Sequence, residues 1–86
     1  MMEVRYVKSA QKVLRRMQPK KAEAIFLKME DVAQDPYKPD PMITPLEGID
    51  QGYRRRFGDW RVLYTVGDDI QILEVFKIGS RGDVYK

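Results

Sequence analysis

Residues 53–66, YRRRFGDWRVLYTV, decide the fold of this chain. The stretch is rich in aromatic and β-branched residues and follows the period of two that is typical of β-strands. Gly58 and Asp59 divide it, and both residues tolerate the backbone angles of a tight turn. The segment therefore predicts a β-hairpin in which Arg56 lies opposite Arg61.

Strand alternation separates the arginines of this hairpin. Alternate side chains of a strand share one face of the sheet, so Arg55 is predicted to point away from its two neighbours. The predicted basic face holds Arg54, Arg56, Arg61, Leu63 and Thr65. The opposite face, predicted to pack beneath helices, holds Val62, Tyr64 and Val66.

The N-terminal half predicts one strand and two helices. Residues 3–7 alternate as in a short strand, and Ser9 is a suitable N-cap for a following helix. Pro19 ends that helix and begins a second one, which is predicted to stop at Asp35. The short connection indicates an antiparallel helical hairpin. Its apolar faces consist of Ala10, Val13, Leu14 and Met17 in the first helix and Ala22, Ile25, Phe26, Met29 and Val32 in the second.

The C-terminal half predicts an irregular connection and a last strand. Residues 36–50 carry four prolines and predict a long loop. A turn at residues 67–69 leads to a strand over residues 70–78, which completes a β-meander. A three-residue turn places Lys77 on the basic face with Leu73 and Val75. It places Glu74 on the core face together with Ile70, Ile72, Phe76 and Ile78.

The element order predicts an α+β fold. An N-terminal strand and an antiparallel helical hairpin are expected to pack on one face of an antiparallel β-sheet. The 86 residues suit a single domain spanning residues 1–86. No apolar run approaches the ~20 residues of a membrane helix, and no signal-peptide core is visible. We therefore expect a cytoplasmic protein without a membrane partner.

Composition limits the chemistry. The chain has no cysteine, which excludes disulfides and thiolate metal sites, and no histidine, the usual acid–base group at neutral pH. No metal or cofactor is therefore expected. Sixteen basic residues face thirteen acidic ones, and five of the eight arginines follow residue 50. The arginine fork matches phosphate. The cluster is either a surface for a polyanion or a solvated strand with Asp59, Asp68 and Asp69 as counterions.

The C-terminal segment, KIGSRGDVYK, bears on that choice. Gly79 is predicted to end the last strand, Arg81 follows directly, and Tyr85 is the penultimate residue. Val84 and Tyr85 are apolar or aromatic, so we expect them to dock back on the domain rather than fray.

The sequence resembles the RelE/ParE toxin superfamily of bacterial and archaeal toxin–antitoxin systems. The resemblance rests on the element order, on DPY after the second helix, on PLEG in the connection, and on YRRRFGDWRVLYTV followed by VFKIGSRGDVYK. It covers essentially the whole chain. Its most specific parts are GDWRVLY and IGSRGDVY.

RelE-type members of the superfamily are endoribonucleases that cut mRNA in the ribosomal A site. The resemblance therefore implies a metal-independent endoribonuclease with a cognate antitoxin, the ribosome and mRNA as partners. The implied catalytic residues are Arg61, Arg81 and Tyr85, and the implied phosphate-binding residues are Arg54 and Arg56, to which strand alternation adds Lys77.

Two other functions stay open at this point. ParE-type members share the fold, act on DNA gyrase and lack this residue set, so Arg61, Arg81 and Tyr85 together favour the RelE type. A non-catalytic homologue that only binds its antitoxin is the third alternative.

Overall fold

The structure is a computed structural model and describes residues 2–80. This part of the chain folds into a five-stranded sheet and two helices. The sheet has the strand order β1-β5-β4-β3-β2. The elements are β1 (Glu3–Tyr6), α1 (Lys8–Arg16), α2 (Pro19–Gln34), β2 (Ile43–Pro45), β3 (Gly52–Phe57), β4 (Trp60–Gly67) and β5 (Ile72–Ser80). None of the described helices is long and apolar enough to cross a membrane.

The sheet is antiparallel from β2 to β5, whereas β1 runs parallel to β5. The predicted α+β class is confirmed, but the sheet is mixed rather than wholly antiparallel. Parallel neighbours need a crossover connection, and here the helices and the meander separate β1 from β5 along the chain. Within residues 2–80, both helices pack on one face of the sheet, and no helix covers the other face.

The sheet fixes where α1 begins. Val7 is extended, its N–H donates to the carbonyl of Val75 at 3.0 Å, and its own carbonyl accepts from the N–H of Gln11 at 3.0 Å. The helix therefore starts directly after the β1–β5 ladder, with Val7 as N-cap and no side-chain cap. The prediction that Ser9 caps this helix is wrong, since Ser9 already lies within it. The predicted start of the second helix at Pro19 is confirmed.

The core lies between the helices and the covered face of the sheet. Its largest fully buried side chains are Ile25, Met29, Val62, Tyr64, Leu73 and Val75. The positions predicted for the core side of β4 are therefore confirmed. Burial of these side chains supplies most of the fold's stabilisation, because no disulfide is available and apolar burial contributes ~25 cal/mol per Å².

A β-bulge in β5 changes the predicted faces of the last strand. Leu63 pairs with Lys77, but the next residue of β4, Tyr64, pairs with Val75, so Phe76 is an extra residue without a partner. One extra residue reverses the alternation on the strand. Lys77 lies on the basic face as predicted, while Leu73 and Val75 face the helices and are fully buried.

The same bulge resolves the unfavourable placement predicted for Glu74. Its side chain is exposed on the open face, where it pairs with Thr65. The predicted core positions of Ile70 and Ile72 are wrong: Ile70 lies in the turn and is 68% exposed, and Ile72 shares the open face. Ile78 belongs to the core, as predicted.

The connection over residues 36–50 contains a short strand that the prolines concealed. In β2, Ile43 pairs with Arg55 and Thr44 with Arg54. Proline has no backbone N–H to donate. Pro45 is tolerated because β2 lies at the edge of the sheet, where every second N–H has no neighbouring strand to bond.

Candidate functional site

The open face of the sheet brings four cationic side chains together. Antiparallel pairing sets three cross-strand rows over β3, β4 and β5. Paired residues point to the same face, so the predicted orientation is confirmed for Arg54, Arg56 and Arg61 in β3 and β4 and for Lys77 in β5. The rows are Arg56–Arg61–Gly79, Arg54–Leu63–Lys77 and Gly52–Thr65–Glu74. We call the surface formed by Arg54, Arg56, Arg61 and Lys77 the basic face.

Arg61 is held at the hairpin turn. Its Nη1 donates to the carbonyl oxygens of Gly58 at 3.0 Å and Trp60 at 3.2 Å. Gly58 has a φ of +59°, a left-handed conformation that favours glycine and turns its carbonyl within reach. A guanidinium has five N–H donors, so two bonds orient the group and leave donors for a phosphate.

Arg56 lies directly opposite Arg61 across the hairpin. Like charges in this position repel each other and destabilise the strand pair. The repulsion falls when an anion binds between them. The pair therefore favours an anionic ligand over an empty surface.

Leu63 gives the basic face an apolar floor. It is only 6% exposed although it lies on the side away from the helices. Its row neighbours are Arg54 and Lys77, whose aliphatic stems can lie along it while the charged groups reach outward. A floor that excludes water strengthens the attraction between these cations and a phosphate.

One side of the basic face is closed by the loop before β3. A Cβ placed on Gly52 would lie 2.7 Å from Cγ2 of Ile49, so Ile49 covers this position on the open face. The loop turns there with Gln51 at a φ of 54°. Sequence analysis did not place Ile49 at the site. The glycine before YRRR was the available signal, since glycine within a strand often marks a close approach.

Arg55 points to the helix side and has a structural role. Its Nε lies 3.8 Å from Oδ2 of Asp40, and its guanidinium stacks over the ring of Phe57 at 4.5 Å. Asp40 also accepts a hydrogen bond from the N–H of Met42 at 2.8 Å and lies 3.4 Å from Nζ of Lys28. The Met42 hydrogen bond, with smaller contributions from the two cations, lowers the pKa of Asp40.

The described part of the site ends with β5. Ser80 pairs with Trp60, one position beyond the Arg61–Gly79 pair. Trp60 is half-buried and packs against the core beside the hairpin turn. Arg81 and Tyr85 lie outside the described residues, and their predicted roles stay predictions.

The family of this chain follows from a comparison of its sequence with models of known protein families. A profile of the ParE toxin family, described as the ParE toxin of the type II toxin–antitoxin system parDE, matches residues 4–85. This chain belongs to that family. It is therefore a toxin of the RelE/ParE superfamily of type II toxin–antitoxin systems, as the sequence resemblance implied. Among curated proteins, none matches it.

Solved RelE toxins share its fold. The archaeal RelE–RelB complex from Pyrococcus horikoshii OT3 matches at 28% identity and a TM-score of 0.74, covering 96% of this chain and 98% of that chain. The intact RelBE complex of E. coli matches at 20% identity and a TM-score of 0.79, covering 93% and 96%. The isolated E. coli RelE toxin matches at 18% identity and a TM-score of 0.80, covering 99% and 89%.

Proposed function

We propose that this toxin is a ribosome-dependent endoribonuclease that cleaves mRNA and so inhibits translation. The observation that carries the proposal is the basic face, where Arg54, Arg56, Arg61 and Lys77 share an open surface above a buried leucine. A phosphodiester in strong contact with such a surface gains electrostatic stabilisation as charge builds up in the transition state.

The proposed reaction needs no metal. The ribose 2′-hydroxyl attacks the adjacent phosphorus, the bond from phosphorus to the 5′-oxygen breaks, and a 2′,3′-cyclic phosphate and a 5′-hydroxyl result. One group must take the 2′-hydroxyl proton, and another must protonate the leaving 5′-oxygen. Arginine stays protonated in proteins, so Arg54, Arg56 and Arg61 serve as phosphate ligands rather than as bases.

Tyr85 is the proposed base. An unperturbed phenol has a pKa of ~10, and neighbouring guanidinium groups lower that value by favouring the phenolate. We assign this effect to Arg61 and Arg81, and Arg81 is alternatively the proposed donor of the proton to the leaving 5′-oxygen. Ribosome dependence follows, because an external scaffold that orients the RNA compensates for a weak acid–base pair.

Two other tyrosines, Tyr6 and Tyr37, are unsuited to this role. Burial, and secondarily Glu30, raises the pKa of Tyr6 to about 12. The hydroxyl of Tyr37 donates to Oδ2 of Asp68 at 2.6 Å, and this bond raises its pKa to about 12. Both groups stay protonated under conditions in which a general base is needed.

The proposed partner in the cell is a cognate antitoxin. RelE from Pyrococcus horikoshii OT3 and RelE from E. coli are each found in complex with RelB. An acidic segment of an antitoxin would complement the basic face and exclude mRNA from it.

Gyrase inhibition is the second candidate. It is favoured by one observation, the match of residues 4–85 to the ParE toxin family. A ParE-like toxin needs no RNA-cleaving residues, so the two functions differ in their dependence on Arg81 and Tyr85.

The deciding experiment maps mRNA 5′ ends after induction of the toxin in a bacterial host. We expect new ends within translated codons, growth arrest, and loss of both in Arg81→Ala and Tyr85→Phe. Arg5→Gln is the matched control, because Arg5 is exposed, is paired with Glu3 and lies on the edge strand β1. Intact mRNA together with inhibition of gyrase supercoiling by the purified protein would instead establish the second candidate. Toxicity that persists in both variants would exclude the proposed residues.

A further inference from the structure

Glu74 is the single acidic residue in the three strands that form the basic face. No other position of β3, β4 or β5 is occupied by aspartate or glutamate. Its side chain is exposed on the open face, in the row Gly52–Thr65–Glu74, which lies next to the row that holds Arg54 and Lys77. We call Gly52–Thr65–Glu74 the third row. One carboxylate therefore lies beside a surface that otherwise carries cations.

The bulge in β5 is what turns Glu74 to this face. Lys77 and Glu74 are three residues apart, so strict alternation would place them on opposite sides of the sheet. The extra residue, Phe76, brings both to the open face and returns Val75 to the core. Bulges are frequent beside active sites, where they redirect a side chain. The position of the carboxylate is therefore a built feature of the strand.

Glu74 is not used as a counterion. Arg5 lies opposite it in the ladder of β1 with β5, but the Nε of Arg5 contacts Oε2 of Glu3 at 2.6 Å instead. Within residues 2–80, Glu74 takes part in no ion pair. A carboxylate that served only to offset the neighbouring cations would pair with one of them. Glu74 instead keeps both oxygens as acceptors for the N–H groups of a ligand.

The third row suits a nucleobase better than a phosphate. Its carboxylate repels a phosphate, and Thr65 beside it offers a half-buried hydroxyl that can donate or accept. At the other end Ile49 covers Gly52 and is 40% exposed, which adds an apolar surface. A base needs both, because its faces are apolar and its edge is polar. Thr65 follows Arg61 by four residues of β4, about 13 Å, so RNA held at the basic face can place a neighbouring base here.

We propose that the third row is a base-reading subsite, in which Glu74 accepts a hydrogen bond from the exocyclic amino group of a nucleobase and so rejects uracil. Adenine, cytosine and guanine carry such an amino group, whereas uracil presents carbonyl oxygens in its place. A carboxylate opposite a carbonyl oxygen leaves two acceptors facing each other without a proton to share. The inference rests on the proposed function, since it takes the basic face to hold single-stranded RNA.

The test measures fluorescence anisotropy of labelled oligocytidylate and oligouridylate of about 10 nucleotides at low salt and pH 7. The two RNAs share backbone and ring size and differ in the amino group. We expect the toxin to bind the cytidine oligomer about fivefold more tightly. The ratio should fall to about one in Glu74→Gln, whose amide can also donate to uracil. Glu47→Gln, which removes the same charge from an exposed loop position, should keep the ratio.

The ratio of the two affinities isolates the base, because a lost negative charge strengthens binding of both RNAs alike. Equal binding of the two oligomers by the unmodified toxin would overturn the proposal. So would an unchanged ratio in Glu74→Gln, a ratio that is lost in Glu47→Gln as well, or no binding of either RNA. Thermal unfolding of each variant verifies that the fold is kept.

The binding assay needs no cleavage, so it separates this inference from the proposed function. A ratio that depends on Glu74, together with intact mRNA after induction, would reject the endoribonuclease and leave the base-reading subsite standing. Cleaved mRNA together with a ratio of about one would reject the subsite alone.

Discussion

At the scale of single residues, Asp40 is the acidic partner of the middle arginine of the RRR triplet. Arg54 and Arg56 point to the open face, whereas Arg55 meets Asp40 and Phe57 on the helix side. Asp40 thereby ties the proline-rich connection to β3, and through Lys28 to α2. One residue type at three consecutive positions therefore serves two purposes, separated by strand alternation alone.

We predict that Asp40→Ala lowers the free energy of unfolding by about 1 kcal/mol at pH 7, through loss of the Met42 hydrogen bond and of both cation contacts. Asp40→Asn should recover part of this loss, because an amide oxygen can still accept from Met42. Urea denaturation of the three proteins measures the difference.

The lowered pKa of Asp40 adds a pH dependence with a defined sign. A carboxyl whose pKa falls on folding contributes stability above its unfolded value of 3.8, and the contribution is lost as pH falls through the lower folded value. The stability gap between wild type and Asp40→Asn should therefore be constant from pH 7 to pH 5 and shrink below about pH 4. A gap that widens on acidification would contradict the assignment.

At the scale of elements, the hairpin of β3 and β4 was predictable and β5 was not. The turn residues Gly58-Asp59 fix the register of the hairpin, so the positions of Arg54, Arg56 and Arg61 followed from the sequence. The bulge at Phe76 has no turn signal. The one sign of the bulge in the sequence was that strict alternation placed Glu74 on the core face, where burial of an unpaired charge is strongly unfavourable.

The bulge leads to a prediction about neighbouring residues of β5. Val75 is fully buried, whereas Glu74 is exposed on the open face. Val75→Ala should lower the free energy of unfolding by about 2 kcal/mol, because it leaves a cavity in the core. Glu74→Ala should change it by less than about 0.5 kcal/mol. Chemical denaturation measures both, and similar effects for the two variants would contradict the bulge.

The basic face leads to a second prediction at this scale: one substitution should raise stability and weaken RNA binding. Arg56→Gln removes the repulsion with Arg61 across the hairpin, so we expect a small gain in stability, a few tenths of a kcal/mol, at low salt. The gain should vanish at 1 M salt, where exposed charges are screened. The same variant should bind single-stranded RNA more weakly. Arg5→Gln, a charge loss at an exposed position on β1, should show neither change.

At the scale of the whole molecule, residues 2–80 consist of a helical layer and a sheet whose outer face is not covered by either helix. Element order and the apolar positions of the helices predicted the layers, because both depend on local periodicity. The parallel pairing of β1 with β5 and the edge strand β2 depend on contacts between distant segments. The packing of Ile49 onto Gly52 closes one side of the site, and its one local sign in the sequence was the glycine before YRRR.

The core of this small domain also determines how the whole molecule responds to alkali. Tyr64 is fully buried beneath the helices, and among the described residues its hydroxyl has no hydrogen-bond partner. Burial, with smaller effects from Tyr53 and Asp40, raises its pKa. Tyr6, half-buried at the edge of the same core, has a pKa of about 12. Folding therefore requires both phenols to stay protonated.

A phenol whose pKa rises on folding contributes stability that is complete below its unfolded value of about 10 and is lost as pH rises through the folded value. We predict that the free energy of unfolding, measured by urea denaturation, falls steeply between pH 10 and pH 12. Tyr64→Phe should flatten this fall. At pH 7 it should leave stability unchanged or slightly higher, since it removes a buried hydroxyl without a partner and keeps the ring. An alkaline fall as steep in Tyr64→Phe as in wild type would show that Tyr64 is not the group whose ionisation opens the core.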